Sequence, residues 1–333
     1  MSQDSHIDGV LLVWGERWDW SPQNRKPRGV NRTGTGLPVP SKANQRRPLT
    51  AAAARANLKA FTRKSPQVIV KISGGGRGLR KVMNHLSYIS RNGENPLEDE
   101  HSEAIEGKEG LRDLRLAWGQ GGYPIPDEGD KRESINIVLS MPEGTDELAV
   151  LRAARAFAKA EFSDNHQYVL ALHTFTTDPG PKPSRHPHAH LAVKVRGRNG
   201  IRLNPRKADL QDWRESFAQA LREHGVDATA TRRRTRLQRS KGEKQAIRHI
   251  KGRGVEPRVQ STAEQQPRAA ARAKENVAQV MRDYKTIAYA LAESDQDDRK
   301  LALDLVQTLR ELNARHQLDN ERQKQRDAPD LAR

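Results

Sequence analysis

Arg185-His-Pro-His-Ala-His-Leu-Ala-Val-Lys-Val-Arg196 decides how this chain is read. A proline followed by an apolar run predicts a strand entering a sheet, with successive side chains on opposite faces. Ala189, Leu191, Val193 and Val195 then point into a core, while His186, His188 and His190 share the other face. Imidazoles two residues apart on one strand face can bite a single metal ion. One histidine on a sheet is ordinarily structural, so the reading needs a further ligand. His173 supplies it, near the end of the earlier apolar run Tyr168-Val-Leu-Ala-Leu-His-Thr-Phe175, provided the two segments are neighbouring antiparallel strands. Three nitrogens with one side open is a catalytic pattern, since a structural site fills its shell.

The charge says what such a metal acts on. Across 333 residues, 59 Lys and Arg stand against 42 Asp and Glu, a net charge of +17. Such an excess predicts an anionic partner, nucleic acid first. A hydrophobic content of 35% is low for a wholly compact protein, so part of the length is expected to be extended or solvated. The absence of cysteine excludes disulfides and thiolate metal sites and fits a reducing compartment. No apolar run approaches the roughly 18 residues of a membrane span. The opening Met-Ser-Gln-Asp-Ser-His lacks the order of a secretion signal. A cytoplasmic protein without a membrane span is the expectation.

The chain divides by pattern into three parts. Residues 1–66 form an N-terminal extension with the Trp-rich Val10-Leu-Leu-Val-Trp-Gly-Glu-Arg-Trp-Asp-Trp20. A basic stretch without a single acid follows over 21–66, read as a flexible arm that gathers phosphates. Residues 67–254 alternate short strands with amphipathic helices. Strands are expected at Val68–Ile72, Ile135–Met141, Tyr168–Phe175 and Leu191–Val195. Helices are expected at Leu79–Ser90, Asp146–Phe162 and Leu210–His224, with Thr145 as N-cap of the second. This mix without strict strand–helix alternation predicts an α+β fold with a mainly antiparallel sheet and flanking helices. The part closes on a basic run that includes Arg232, Arg233, Arg234 and Arg236. Residues 255–333 form an α-helical tail with two apolar stripes separated by Asp295-Gln-Asp-Asp298, a helical hairpin. Oligomeric state is not legible.

A candidate nucleophile comes from elimination among five tyrosines. Tyr284 and Tyr289 belong to the tail helix, Tyr168 to a strand, and Tyr123 to a turn. Tyr88 lies in Lys81-Val-Met-Asn-His-Leu-Ser-Tyr-Ile-Ser-Arg-Asn-Gly93. At about 100° per residue, Leu79, Val82, Met83, Leu86 and Ile89 form one stripe and Tyr88 falls opposite Leu79. It stands among Arg77, Lys81, Asn84 and Arg91, unexplained by a core. A phenol is a weak nucleophile at neutral pH unless a base, a metal or a positive field favours its anion.

Together these residues resemble the conjugative relaxases of the MobA/VirD mobilisation type, members of the histidine–hydrophobe–histidine endonucleases. The likeness begins at Gln67-Val-Ile-Val-Lys-Ile-Ser-Gly-Gly-Gly76 and runs through Leu86-Ser-Tyr-Ile-Ser-Arg-Asn-Gly93, which is similar to the nucleophile motif. It resumes at Ile137-Val-Leu-Ser-Met-Pro-Glu-Gly-Thr-Asp146. It is strongest at His173 and Arg185-His-Pro-His-Ala-His-Leu-Ala-Val-Lys194. About residues 67–250 are covered.

The resemblance implies a tyrosine that cuts one strand of plasmid DNA at an origin of transfer. Tyr88 keeps the 5′-phosphate as a phosphotyrosine and releases a 3′-OH. His173, His188 and His190 hold a divalent ion, Mg²⁺ or Mn²⁺ in the family, with His186 a possible neighbour. Imidazoles alone also suit zinc or nickel. Arg77, Lys81, Asn84, Arg91, Ser140, Lys194, Arg196, Arg232, Arg233, Arg234 and Arg236 are the expected DNA contacts. Accessory relaxosome proteins and a type IV coupling protein are the implied partners, with translocation of the protein alongside the strand. One position departs from the family: the acid commonly found two residues after the first histidine is replaced by Phe175, and Asp178, the nearest acid, is the candidate catalytic residue to orient a ligand histidine or accept the tyrosine proton. Two other functions fit the same residues, a rolling-circle replication initiator and a non-catalytic origin-binding accessory protein.

Overall fold

The computed structural model describes residues 3–19, 50–177, 184–207, 209–232, 235–237, 245–256 and 265–327. Asp178, Arg233, Arg234 and residues 20–49 of the expected basic arm lie outside them. In chain order the elements are α1 (Gln3–Asp19), α2 (Ala51–Thr62), β1 (Ile69–Gly74), α3 (Leu79–Ile89), β2 (Leu97–Asp99), β3 (Ala104–Ile105), α4 (Gly107–Gln120), β4 (Ser134–Ser140), α5 (Glu147–Phe162), β5 (Tyr168–His173), β6 (His188–Lys194), α6 (Asp209–Glu223), α7 (Gln245–Gly252), α8 (Gln265–Ala292) and α9 (Gln296–Asp327). The expected strands and helices are present, with no end shifted by more than three residues. Elements without a counterpart in the pattern include α1, β2, β3 and α4. The stretch Ala51–Thr62, read as arm, is a helix with Ala54, Leu58 and Phe61 buried.

Contacts group the chain into two compact units, otherwise than composition does. Among the described residues, one holds those from Arg63 to Ala230; the other holds Gln3–Trp18, Thr50–Thr62 and those from Thr231 onward. In the second unit α8 and α9 pack against each other. Tyr284 of α8 stacks on Phe61 of α2 at 5.4 Å and donates its hydroxyl to Thr235 O at 3.0 Å. The Asp298 carboxylate, read from the pattern as part of a turn, sits inside α9, buried against Arg55 and the Ser294 hydroxyl.

The first unit is an α+β fold around a six-stranded sheet in the order β1-β4-β6-β5-β2-β3, antiparallel at every pairing. Alternation builds two cores on it. On one face Ile135, Ile137 and Leu139 of β4 meet Ala189, Leu191 and Val193 of β6 under Phe157, Phe162, Trp213 and Phe217 of α5 and α6. These rings meet edge to face at 5.4–6.3 Å, each pair contributing about 1 kcal/mol beyond its area. On the other face Leu79, Val82, Leu86 and Ile89 of α3 and Leu111, Leu114 and Trp118 of α4 cover Val169, Ala171 and Ala192. Helix α5 is capped by Asp146, whose carboxylate accepts from Leu148 N at 2.9 Å. Thr145 instead donates its hydroxyl to Pro142 O, so the cap lies one residue later than expected.

Two glycines place α3. A Cβ on Gly76 falls 2.5–2.7 Å from Val82, so only glycine lets the loop after β1 pass this close. The first amides of α3 then donate to Pro126 O and Asp127 O, which fill groups the helix leaves orphaned. At the other end the chain reverses over Ser90–Asn95. Arg91 and Asn92 take left-handed backbone at φ 51° and 58°, and Gly93 lies at φ 93° with Gly107 backbone where a Cβ would stand. Ser90 Oγ accepts from Gly93 N, and Asn95 Nδ2 donates to Leu172 O of β5. The C-terminal end of α3 is thereby held against the end of β5.

Candidate active site

The register puts three imidazoles together. His173 of β5 pairs with His188 of β6, and Ala171 pairs with His190, so His173, His188 and His190 share the face toward α3. Ring centroids are 4.6 Å apart for His173–His190, 5.2 Å for His188–His190 and 5.3 Å for His173–His188. One nitrogen from each lies within 4.8 Å of the others.

What the second nitrogens do matters as much. His173 Nε2 lies 2.7 Å from Ile89 O, a carbonyl at the C-terminal end of α3, and as a donor to it leaves Nδ1 with its lone pair. His188 Nδ1 lies 2.9 Å from His186 O, which leaves Nε2. His190 Nδ1 faces the Asn136 amide of β4, with Oδ1 at 3.4 Å and Nδ2 at 3.1 Å, while Nδ2 also reaches Ser73 Oγ at 2.5 Å. With Oδ1 accepting from His190 Nδ1, Nε2 is left there too. Orienting contacts of this kind are how ligand histidines are aimed. Burial foremost, then the neighbouring His173, His188, His85 and Arg91, pushes the His190 imidazole down to about 2. Neutral imidazole is the form that ligates. This donor set fits a divalent cation.

Tyr88 projects from the last turn of α3, 60% exposed, away from Leu79, Val82, Leu86 and Ile89 as the helical stripe requires. Arg91 links it to the histidines. Its guanidinium carbon lies 5.0 Å from the Tyr88 ring centroid, and its Nη2 is 3.4 Å from His173 Nδ1. One cationic side chain thus touches both the candidate nucleophile and the candidate metal centre.

The remaining expected residues separate. Arg77, Lys81 and Asn84 are exposed, and Ser140 lies opposite His188 in the β4–β6 register. His186 Nδ1 accepts from Glu143 N at 3.0 Å, and the residue precedes β6, so it serves His188 through its carbonyl. Lys194 is a correction. It is 2% exposed, and its Nζ donates to Trp118 O, Gly121 O and Gln167 Oε1 at 3.1–3.2 Å. An ammonium so enclosed does not meet DNA. Arg196 packs its guanidinium on Tyr123 at 5.0 Å. Arg232 and Arg236 are half-buried in the other unit. Sequence reading missed Asn136 and His85. His85 lies one turn before Tyr88 on α3, its ring 6.5 Å from that of His190, and burial lowers its pKa. The spacing of His85 and Tyr88 was a usable signal; that of Asn136 depends on cross-strand register.

An antiparallel α+β domain with a three-imidazole cluster beside an exposed tyrosine is the class defined so far. Comparison with known proteins makes it specific. Residues 108–226 match the family described as Relaxase: MobA/VirD2-like, nuclease domain. Over these residues the chain is similar to relaxase nuclease domains of the MobA/VirD type. The matched segment contains His173, His188 and His190 and begins after Tyr88. The chain is 28% identical over 189 residues to the T-DNA border endonuclease VirD2 of Rhizobium radiobacter, covering 51% of this chain and 43% of that protein. The protein of the same name from Agrobacterium fabrum is 29% identical over 189 residues, covering 51% and 40%. The chain thus spans about two fifths of the length of these curated relatives. No solved structure matches it.

Proposed function

We propose that this chain nicks one strand of DNA at an origin of transfer and holds the cut strand through Tyr88. The observation that carries the reading is Arg91, in contact with both the Tyr88 ring and the histidine cluster. The relatives' name, border endonuclease, supports the same chemistry.

In this mechanism a scissile phosphate lies between Tyr88 and the cluster, with the Arg91 guanidinium against its charge. Tyr88 Oη forms a bond to phosphorus as the bond from phosphorus to O3′ breaks. The phenol gives up one proton and the released 3′-hydroxyl takes one, so none is gained or lost overall. The 5′-phosphate stays on Tyr88, and the retained ester allows rejoining. His173, His188 and His190 would hold a divalent ion, Mg²⁺ or Mn²⁺ in this reading, which would supply Lewis-acid stabilisation of the phosphate charge. The three orienting partners, Ile89 O, His186 O and Asn136, hold each imidazole in the ligating tautomer.

Conjugative or mobilisation transfer is the process this serves, in the bacterial cytoplasm and with the protein leading its strand out of the cell. Accessory relaxosome proteins and a type IV coupling protein are the partners of that reading. Among the described residues no helix is long and apolar enough to cross a membrane. The test is incubation with a labelled single-stranded origin oligonucleotide and Mn²⁺ or Mg²⁺. The expected product is an SDS-resistant protein–DNA adduct that Tyr88→Phe abolishes while DNA binding persists. Adduct from Tyr88→Phe rejects this nucleophile. Binding by wild type with no adduct on the cognate strand rejects nicking in favour of an origin-binding protein.

A further inference from the structure

Phe175 follows the ligand end of β5 by two residues and is 49% exposed. An apolar ring left in water forgoes the burial energy a core position would give it. The backbone beneath it is braced. Thr174 N donates to Thr177 Oγ1 at 2.8 Å, Thr177 N donates back to Thr174 Oγ1 at 3.3 Å, and the Thr174 and Thr176 hydroxyls meet at 2.8 Å. Thr174 itself is buried. The turn that carries the ring is held by hydrogen bonds, as the support of a stacking surface must be.

Arg185 completes the feature. Its guanidinium carbon lies 5.6 Å from the Phe175 ring centroid, and its Nη1 is 3.2 Å from Glu143 Oε1. Glu143 N donates to His186 Nδ1, and the His186 carbonyl faces His188 Nδ1. Phe175 is therefore joined by short links to both strands that carry the histidines.

We propose that Phe175 and Arg185 form a seat for one nucleobase of a single DNA strand, beside the phosphate held at the histidine cluster. The base stacks on the exposed phenyl ring, and the guanidinium adds a cationic edge near the sugar-phosphate backbone. Because every base offers a π-face, the seat tolerates any sequence. It takes its ligand from the nicking reading, single-stranded DNA, but its signature is binding and needs no cleavage.

The test compares wild type, Phe175→Ala and Phe175→Tyr by fluorescence anisotropy, using the full chain. The probes are a labelled oligothymidylate of about twenty nucleotides and an abasic strand of the same length. Phe175→Ala is expected to weaken the oligothymidylate about five- to a hundredfold and to leave the abasic strand unchanged, with Phe175→Tyr near wild type. A loss confined to the base-bearing strand supports the seat whether or not the protein cuts. Failure to form an adduct therefore rejects nicking without touching the seat. Equal losses on both strands, no loss on either, or a wild type that binds neither strand overturns it.

Discussion

The two ends of one face of β6 make an instructive pair. His188 and His190 stand at one end and Lys194 at the other, and alternation alone treats all three as polar groups turned toward DNA. Each end lies beside the C-terminus of a helix, where carbonyls lack intrahelical partners. At the Lys194 end, Trp118 O and Gly121 O at the close of α4 take the ammonium, and Gln167 Oε1 takes its last donor direction. At the histidine end, Ile89 O at the close of α3 takes one nitrogen of His173, and the other faces the cluster with Arg91 Nη2 at 3.4 Å. A cation with all its donors placed is spent on the fold. An imidazole has a second nitrogen, and the same helix-end contact only aims it. Chemistry remains on a strand face where bonding capacity is left after the fold has been served.

The largest test sets the two ends against each other. His188→Ala is expected to reduce adduct formation at least about 100-fold while leaving the urea unfolding curve nearly unmoved. Lys194→Met is expected to do the reverse. Its three acceptors lose their donor in a buried place, which costs about 3 kcal/mol of stability, with DNA affinity of the folded protein unchanged. A Lys194→Met protein of wild-type stability that binds DNA weakly breaks the comparison.

The same contrast explains what was legible beforehand. Period and alternation carry information about single elements. They placed α3, α5, α6 and the four long strands, and with them the shared face of His188 and His190. They also allowed His173 to join, because a strand ending in histidine needs only a neighbour of opposite direction. Lys194 was misread because two of its partners come from the end of α4, an element that went unread although Leu111, Leu114 and Trp118 recur at helical spacing. The helix α2 was read as arm because lysines and arginines hid a buried face of alanines, Leu58 and Phe61. Asn136 was invisible for a third reason: its meaning exists only once β4 is in register with β6.

Asn136 sharpens the comparison at the histidine end. If the free nitrogen of His190 is aimed by the amide, then Asn136→Ala should lower Mn²⁺ affinity about 10- to 100-fold by calorimetry. Ser73→Ala, which removes only the support for Asn136 Nδ2, should cost less. Unchanged Mn²⁺ affinity in Asn136→Ala would show that His190 keeps its orientation from packing alone.

The smallest effect returns to the Lys194 end, where His166 is buried with Nδ1 3.0 Å from Lys194 O. Burial lowers its pKa most, the hydrogen bond to Lys194 raises it in part, and the Arg198 charge lowers it again. Unfolded histidine titrates near 6.5, so below that pH the unfolded chain binds a proton that the folded chain resists. Its contribution is therefore complete above about pH 6.5 and declines as pH falls toward the depressed folded value. In metal-free protein, wild-type stability should drop between about pH 7.5 and 5.5, by less than about 1.4 kcal/mol per pH unit for this one group. His166→Gln should flatten that slope, since an amide can keep a hydrogen bond to Lys194 O without titrating. The other histidines are the same in both proteins, so the difference between the two curves belongs to the Lys194 end. Parallel curves would mean that His166 does not resist protonation there, and that this end of the sheet is wetter than its packing implies.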